Sequence, residues 1–107
     1  MRKMIYAVDF DGTLCENAWP EIGAPNYILI RSMIEMRKKG HKLILWTCRT
    51  GKALDEAVRW CEGHGLEFDA INENLPEIVA KFDGESRKIF ANVYIDDLSV
   101  RPEHFKH

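Results

Sequence analysis

The stretch that most restricts the fold is Ile5-Tyr6-Ala7-Val8, an unbroken apolar run of β-forming residues that ends directly on Asp9. A half-exposed strand alternates apolar and polar residues. A continuous run instead predicts a strand with both faces covered, which is the habit of parallel sheets. Two more runs repeat the pattern: Leu43-Ile44-Leu45-Trp46 ends in Thr47, and Val93-Tyr94-Ile95 ends in Asp96-Asp97. Helical spacing lies between them. Ile30, Met33 and Ile34 predict a helix over about residues 25–39, closed by Arg37-Lys38-Lys39 and Gly40. The cations of that last turn are accounted for by the helix dipole. Leu54, Ala57, Val58 and Cys61 give the stripe of a second helix that Gly63 or Gly65 should close. Residues Leu66–Ile71 read as a third, edge strand, and Pro76 opens a short helix reaching about Phe82. The stretch with Pro20, Gly23 and Pro25 reads as a loop.

Strands alternating with helices require right-handed crossovers, so the expected fold is an α/β, Rossmann-like, three-layer domain with a mainly parallel sheet. The chain of 107 residues, 46% apolar and 30% charged, suits one such domain over residues 1–107. In folds of this kind ligands gather beyond the carboxyl ends of the strands. Asp9, Thr47 and Asp96 each end a predicted strand and so should converge on one edge of the sheet.

Charge narrows the partners. A net charge of −2 and a pI near 6.1 lack the basic footprint of proteins that bind nucleic acid or anionic membranes. No apolar run approaches the ~20 residues needed to span a bilayer. Met1-Arg2-Lys3-Met4 leads straight into a strand rather than a signal-peptide core, and the expected location is cytoplasmic. Cys15, Cys48 and Cys61 show no CxxC spacing, so reduced thiols are expected in place of a disulfide framework or zinc site.

The segment Asp9-Phe10-Asp11-Gly12-Thr13-Leu14 places two carboxylates two residues apart where the chain leaves the sheet. With Asp96-Asp97 they form an oxygen-only set suited to Mg²⁺ held by few carboxylates, waters and a substrate phosphate. Ile5 to Leu14 matches hhhhDxDGT(L/V), the first motif of the haloacid dehalogenase-like (HAD) phosphatases, and the chain resembles that superfamily from residue 4 to 97. Leu43–Thr47 fits its second motif and Val93–Asp97 its fourth. For the third, a basic residue upstream of the fourth, Lys88 is assigned eight residues before Asp96, with Arg87 and Lys81 as rivals.

The resemblance implies a Mg²⁺-dependent phosphoric monoester hydrolase working through an aspartyl-phosphate. Asp9 would be the nucleophile and a metal ligand. Asp11 would protonate the leaving oxygen, then take a proton from the hydrolytic water, with its backbone carbonyl toward the metal. Thr47 and Lys88 would bind phosphate, and Asp96 with Asp97 would complete the metal site. An acid at position 11 favours ester hydrolysis over dehalogenation. Neither interval that could carry a cap holds an extra domain, so a capless member is expected. Its open site would admit a small-molecule or an accessible macromolecular phosphate unless a second subunit of a homo-oligomer covers it.

Three rival functions are a phospho-signalling receiver domain, a regulatory Mg²⁺-binding domain without turnover, and a phosphatase dedicated to nucleotides or nucleic-acid ends. Receivers put the acceptor aspartate mid-chain, whereas here the DxD pair follows the first strand and the acidic pair comes last. Other polar residues read as structural. Thr13 caps the turn, Thr50 caps the second helix, Cys48 packs in the core or behind the site residues, and no histidine is assigned to metal. Trp19 and Tyr27 read as packing aromatics. Arg49, two residues past Thr47, faces either substrate or a nearby acid, and the pattern does not choose.

Overall fold

A computed structural model of the chain describes residues 2–81 and 90–96. The elements run β1 (Ile5–Val8), β2 (Cys15–Ala18), β3 (Glu21–Pro25), α1 (Tyr27–Lys38), β4 (Lys42–Leu45), α2 (Gly51–Gly63), β5 (Ala70–Ile71), α3 (Pro76–Lys81) and β6 (Val93–Ile95). Four strands form a sheet in the order β5-β4-β1-β6. Each of its three pairings is parallel, and β1 lies inside, with Val8 opposite Leu45 on one side and Ile95 on the other. The expected α/β architecture with a mainly parallel sheet is present. No helix among the described residues is long and apolar enough to cross a membrane.

The apolar runs of β1 and β4 bury residues on both faces of the sheet, whereas Tyr94 of β6 and Trp46 just past β4 are exposed. Neighbouring residues of a strand point opposite ways. Val8, Leu43 and Leu45 pack with Ile30 and Met33 of α1 and Ala57 and Cys61 of α2. Ala7 and Ile44 join Ala70 and Leu75 in a second cluster, against which Ile78 of α3 packs. The helical stripe from Leu54 to Cys61 is thus the inner face of α2, whose partner is the β1–β4 surface.

Three expectations about elements need correction. The stretch with the turn formers is not a plain loop, because β2 and β3 pair antiparallel in a hairpin of their own. The Trp19–Pro20 peptide at its turn is cis. Gly23 has a packing reason for being glycine: a Cβ there would collide with the carbonyl oxygen of Glu16 on the facing strand. The third strand is shorter than Leu66–Ile71, since only Ala70 and Ile71 pair with β4. The Leu43 N–H that would extend the ladder is taken by the Asp69 carboxylate at 2.9 Å, so side chain replaces backbone and regular pairing starts one residue later. Trp46 lies one residue past the end of β4, although its N–H still donates to Val8 O at 2.9 Å.

The caps join the elements. Asn26 caps α1 by accepting from Leu29 N–H, and its amide donates to the Thr13 carbonyl at 3.2 Å. The helix start is thereby fastened to the loop after β1. At the other end Arg37 leaves the last turn to pair with Asp69 at 3.1 Å and Glu67 at 3.4 Å, a contact the dipole argument does not supply. Thr50 takes the N-cap position of α2, but its side chain makes no capping bond, contrary to expectation.

Candidate active site

The central strand β1 delivers Asp9, β4 delivers Thr47 one residue beyond Trp46, and β6 delivers Asp96. In a parallel sheet all three strand ends lie on the same edge. Asp9, Trp46, Thr47, Cys48 and Asp96 line a cleft there of about 220 Å³. Asp9 is held at both backbone and side chain: its N–H donates to Ile95 O at 2.9 Å, and its Oδ1 accepts from Phe10 N–H at 2.8 Å. The chain then turns sharply. Gly12 adopts φ 82°, where an L side chain is strained, and its N–H donates to Cys15 O at 2.9 Å.

Thr47 is braced by a residue that the sequence reading passed over. Its N–H donates to Asn72 Oδ1 at 2.7 Å, while Asn72 Nδ2 donates to Arg49 O at 3.4 Å. Asn72 sits just after β5 at φ 53°, a left-handed conformation that asparagine tolerates better than most residues. The Asn72-Glu73-Asn74 stretch after an apolar edge strand was the available signal. Thr47 Oγ1 in turn accepts from Arg49 N–H at 3.2 Å. The loop after β4 is therefore tied to β5 and folded back on itself.

The Asp11 side chain does not join Asp9 and Asp96 along the cleft wall. Both of its oxygens are held by Arg49, Nε to Oδ2 at 2.8 Å and Nη2 to Oδ1 at 2.9 Å. This settles what the spacing left open for Arg49: it pairs with an acid. Arg49 is 1% exposed and lies among the core side chains. Its charge survives there because the hydrogen bond to Asp11 raises its pKa above the ordinary arginine value and outweighs burial, which lowers it.

Cys48 reads from the sequence as packed in the core or behind the site residues, and the structure places it elsewhere. It is exposed and lines the cleft, in the segment Trp46-Thr47-Cys48 that lies beyond the end of β4. Cys15 and Cys61 are the buried thiols. Burial pushes Cys61 from its ordinary 9.0 up to about 12 and raises Cys15 as well. Thr13 does not cap a turn with its hydroxyl; among the described residues that oxygen is buried without a hydrogen-bond partner, and the backbone N–H of Thr13 donates to Phe10 O instead. His41 is buried and accepts from Met4 N–H through Nδ1 at 2.9 Å. Trp19 and Tyr27 are both largely exposed. Lys88, Arg87 and Asp97 lie outside the described residues, and Lys81 ends α3.

Among the described residues no three His, Cys, Asp or Glu side chains gather as a metal cluster. The pair Asp9 and Asp96 in one cleft still fits Mg²⁺. That ion is commonly held by one or two carboxylates and completes its shell with waters and phosphate oxygens.

No family model and no curated protein matches the chain. A solved structure does: a conserved protein from Bacteroides thetaiotaomicron is 42% identical, with a TM-score of 0.81 over 92% of this chain and 79% of that one. The chain belongs to that protein's family.

Proposed function

We propose that the chain is a Mg²⁺-dependent phosphoric monoester hydrolase of the HAD-like type, with Asp9 as nucleophile. The observation that carries this reading is the meeting of Asp9, Thr47 and Asp96 in one cleft, each from the end of a different parallel strand. These are the positions that the motif resemblance assigns to nucleophile, phosphate contact and metal ligand. In the same reading the sheet with its two apolar clusters is a Rossmann-like layered core, and the β2–β3 hairpin is too small to be a cap domain. The enzyme is cytoplasmic, and its open cleft takes a phosphorylated small molecule or an accessible macromolecular phosphate.

Phosphoryl transfer asks a protein mainly to position groups and neutralise charge. Asp9 attacks phosphorus in line with the departing oxygen and becomes an aspartyl-phosphate. The bond from Phe10 N–H to Asp9 Oδ1 fixes the carboxylate plane during the attack. Thr47, immobilised by Asn72 and Arg49, offers its hydroxyl to a phosphate oxygen. Asp11 supplies the proton that the leaving oxygen needs and later takes one from water as the aspartyl-phosphate is hydrolysed. Mg²⁺, held by Asp9 and Asp96 with Asp97, would offset the repulsion between the carboxylates and the incoming phosphate. Lys88 is assigned to phosphate on the resemblance alone.

A panel of phosphate esters assayed with Mg²⁺ tests the reading. Turnover should appear in the wild type, vanish in excess chelator, and fall by about a thousandfold or more in Asp9→Asn, whose amide cannot form the covalent intermediate. Full activity of purified Asp9→Asn would remove Asp9 as nucleophile.

A further inference from the structure

We infer that Arg49 is a positioning residue for Asp11, holding the carboxylate at the angle from which it serves the leaving oxygen and coupling it to the β2–β3 hairpin. This rests on the reading of Asp11 as acid and base in the proposed reaction.

The guanidinium is a rigid fork with five donors. Two grip both oxygens of Asp11, at 2.8 and 2.9 Å. Nη2 also donates to the Glu21 carbonyl of β3 at 3.0 Å, and Nη1 donates to the Ala53 carbonyl near the start of α2 at 3.4 Å. The Phe10 and Trp19 rings lie 5.1 and 4.9 Å from the central carbon, so two aromatic rings flank the cation. One side chain thus binds the loop after β1, the hairpin and the start of α2. Its own backbone belongs to the loop of Thr47, since Arg49 N–H donates to Thr47 Oγ1 at 3.2 Å.

Two features separate this arrangement from a structural ion pair. Buried ion pairs are a weak means of stabilising a fold, because desolvation consumes much of the attraction and apolar residues of similar size do as well. The pair is also asymmetric: the Arg49 side chain is 1% exposed and that of Asp11 is 20% exposed. The cation is the fixed, buried end, and the carboxylate is the more exposed end. Lysine could not replace it, as an ammonium cannot hold two oxygens in one plane.

The grip follows Asp11 through the reaction. A protonated Asp11 gives its proton to the bridging oxygen as the phosphorus–oxygen bond breaks, and the resulting carboxylate has both oxygens on Arg49. When water attacks the aspartyl-phosphate, Asp11 takes the water proton on one oxygen and gives up one of the two contacts. Arg49 keeps its charge throughout.

The experiment compares two phosphate esters of similar size, one with a nitrophenolate and one with an alkoxide leaving group. Turnover is measured for wild type, Asp11→Asn, Arg49→Met, Arg49→Lys and the Asp11→Asn/Arg49→Met double variant. Nitrophenolate leaves without a proton and alkoxide does not. Both Arg49 variants should lose about tenfold or more in kcat on the alkyl ester, much less on the nitrophenyl ester, with KM little changed. The double variant should be within about twofold of Asp11→Asn, because there is no acid left to position. Equal losses on the two esters, or losses that multiply in the double variant, would overturn the role of Arg49. Should Arg49→Met fail to fold, Arg49→Lys keeps the charge, lacks the two-toothed grip and decides the question alone. Equal losses on both esters in Asp11→Asn itself would instead remove Asp11 as the acid, and this inference with it.

Discussion

The thiols show how far the environment of a residue departs from its type. Cys15, Cys48 and Cys61 are chemically alike in an extended chain. In the fold Cys15 is 2% exposed and Cys61 is 0% exposed, while Cys48 faces solvent at the cleft. A thiol reagent should therefore modify one cysteine per native chain at once and all three only after unfolding, with Cys48→Ser abolishing the fast phase. Rapid native labelling of Cys15 or Cys61 would contradict the packing around α2. The raised pKa values carry a pH consequence. Cys61 keeps its proton up to about 12 in the fold, whereas in the unfolded chain it ionises near 9.0. The unfolded state thus binds fewer protons between those values, and stability is present below the lower one and lost as pH rises toward the upper one. Denaturation at rising alkaline pH should show this loss, smaller in Cys61→Ala relative to that variant's own neutral-pH stability.

Among the elements, the β2–β3 hairpin is the one whose sequence is least informative and whose contacts matter to the site. Pro20, Gly23 and Pro25 favour turns, and together they obscure two short strands that are mostly exposed. Tertiary contact gives them their place: Asn26 N–H donates to Leu14 O at 2.8 Å, and Glu21 O accepts from Arg49. Gly23→Ala should cost about 1–3 kcal/mol, because the strands must separate to relieve the clash with Glu16. Gly63→Ala is the natural control, since a Cβ there meets nothing within 4 Å and the helix gains propensity. Denaturant midpoints for the two variants should move in opposite directions or, for Gly63→Ala, stay unchanged. A Gly23→Ala protein as stable as wild type would mean that the hairpin adjusts without loss.

At the scale of the molecule, the cleft joins strands that are far apart in sequence, so anything bound between Asp9 and Asp96 holds the sheet together. A cation that binds only the native state stabilises it by mass action, about 2.7 kcal/mol at a hundred times its dissociation constant. For a domain of this length that is a rise in Tm of roughly 10 °C. Mg²⁺ should raise Tm in the wild type and much less in Asp96→Asn, and Ca²⁺, which prefers more and longer oxygen contacts, should do so less effectively at equal concentration. The same Tm rise in wild type and Asp96→Asn would place the cation elsewhere.

The strands β1, β4 and β6, the two main helices and the convergence of Asp9, Thr47 and Asp96 were legible in the sequence. Each rests on a local pattern: an apolar run too continuous for a half-exposed strand, a stripe at helical spacing, a polar residue at a strand's end. The parallel arrangement follows from chain connectivity. What needed the tertiary structure is what depends on two distant segments meeting. Asp69 ends the β5 ladder early because it faces Leu43 N–H. Asn72 braces Thr47 across the gap between β5 and β4. Arg49, which by spacing suited a substrate contact or an ion pair equally, is buried on Asp11 because the hairpin closes over it. Periodicity reports which face of an element is apolar, since that is written along the chain. Which donor meets which acceptor depends on how the elements are placed, and for these side chains the partner is 23 to 38 residues away.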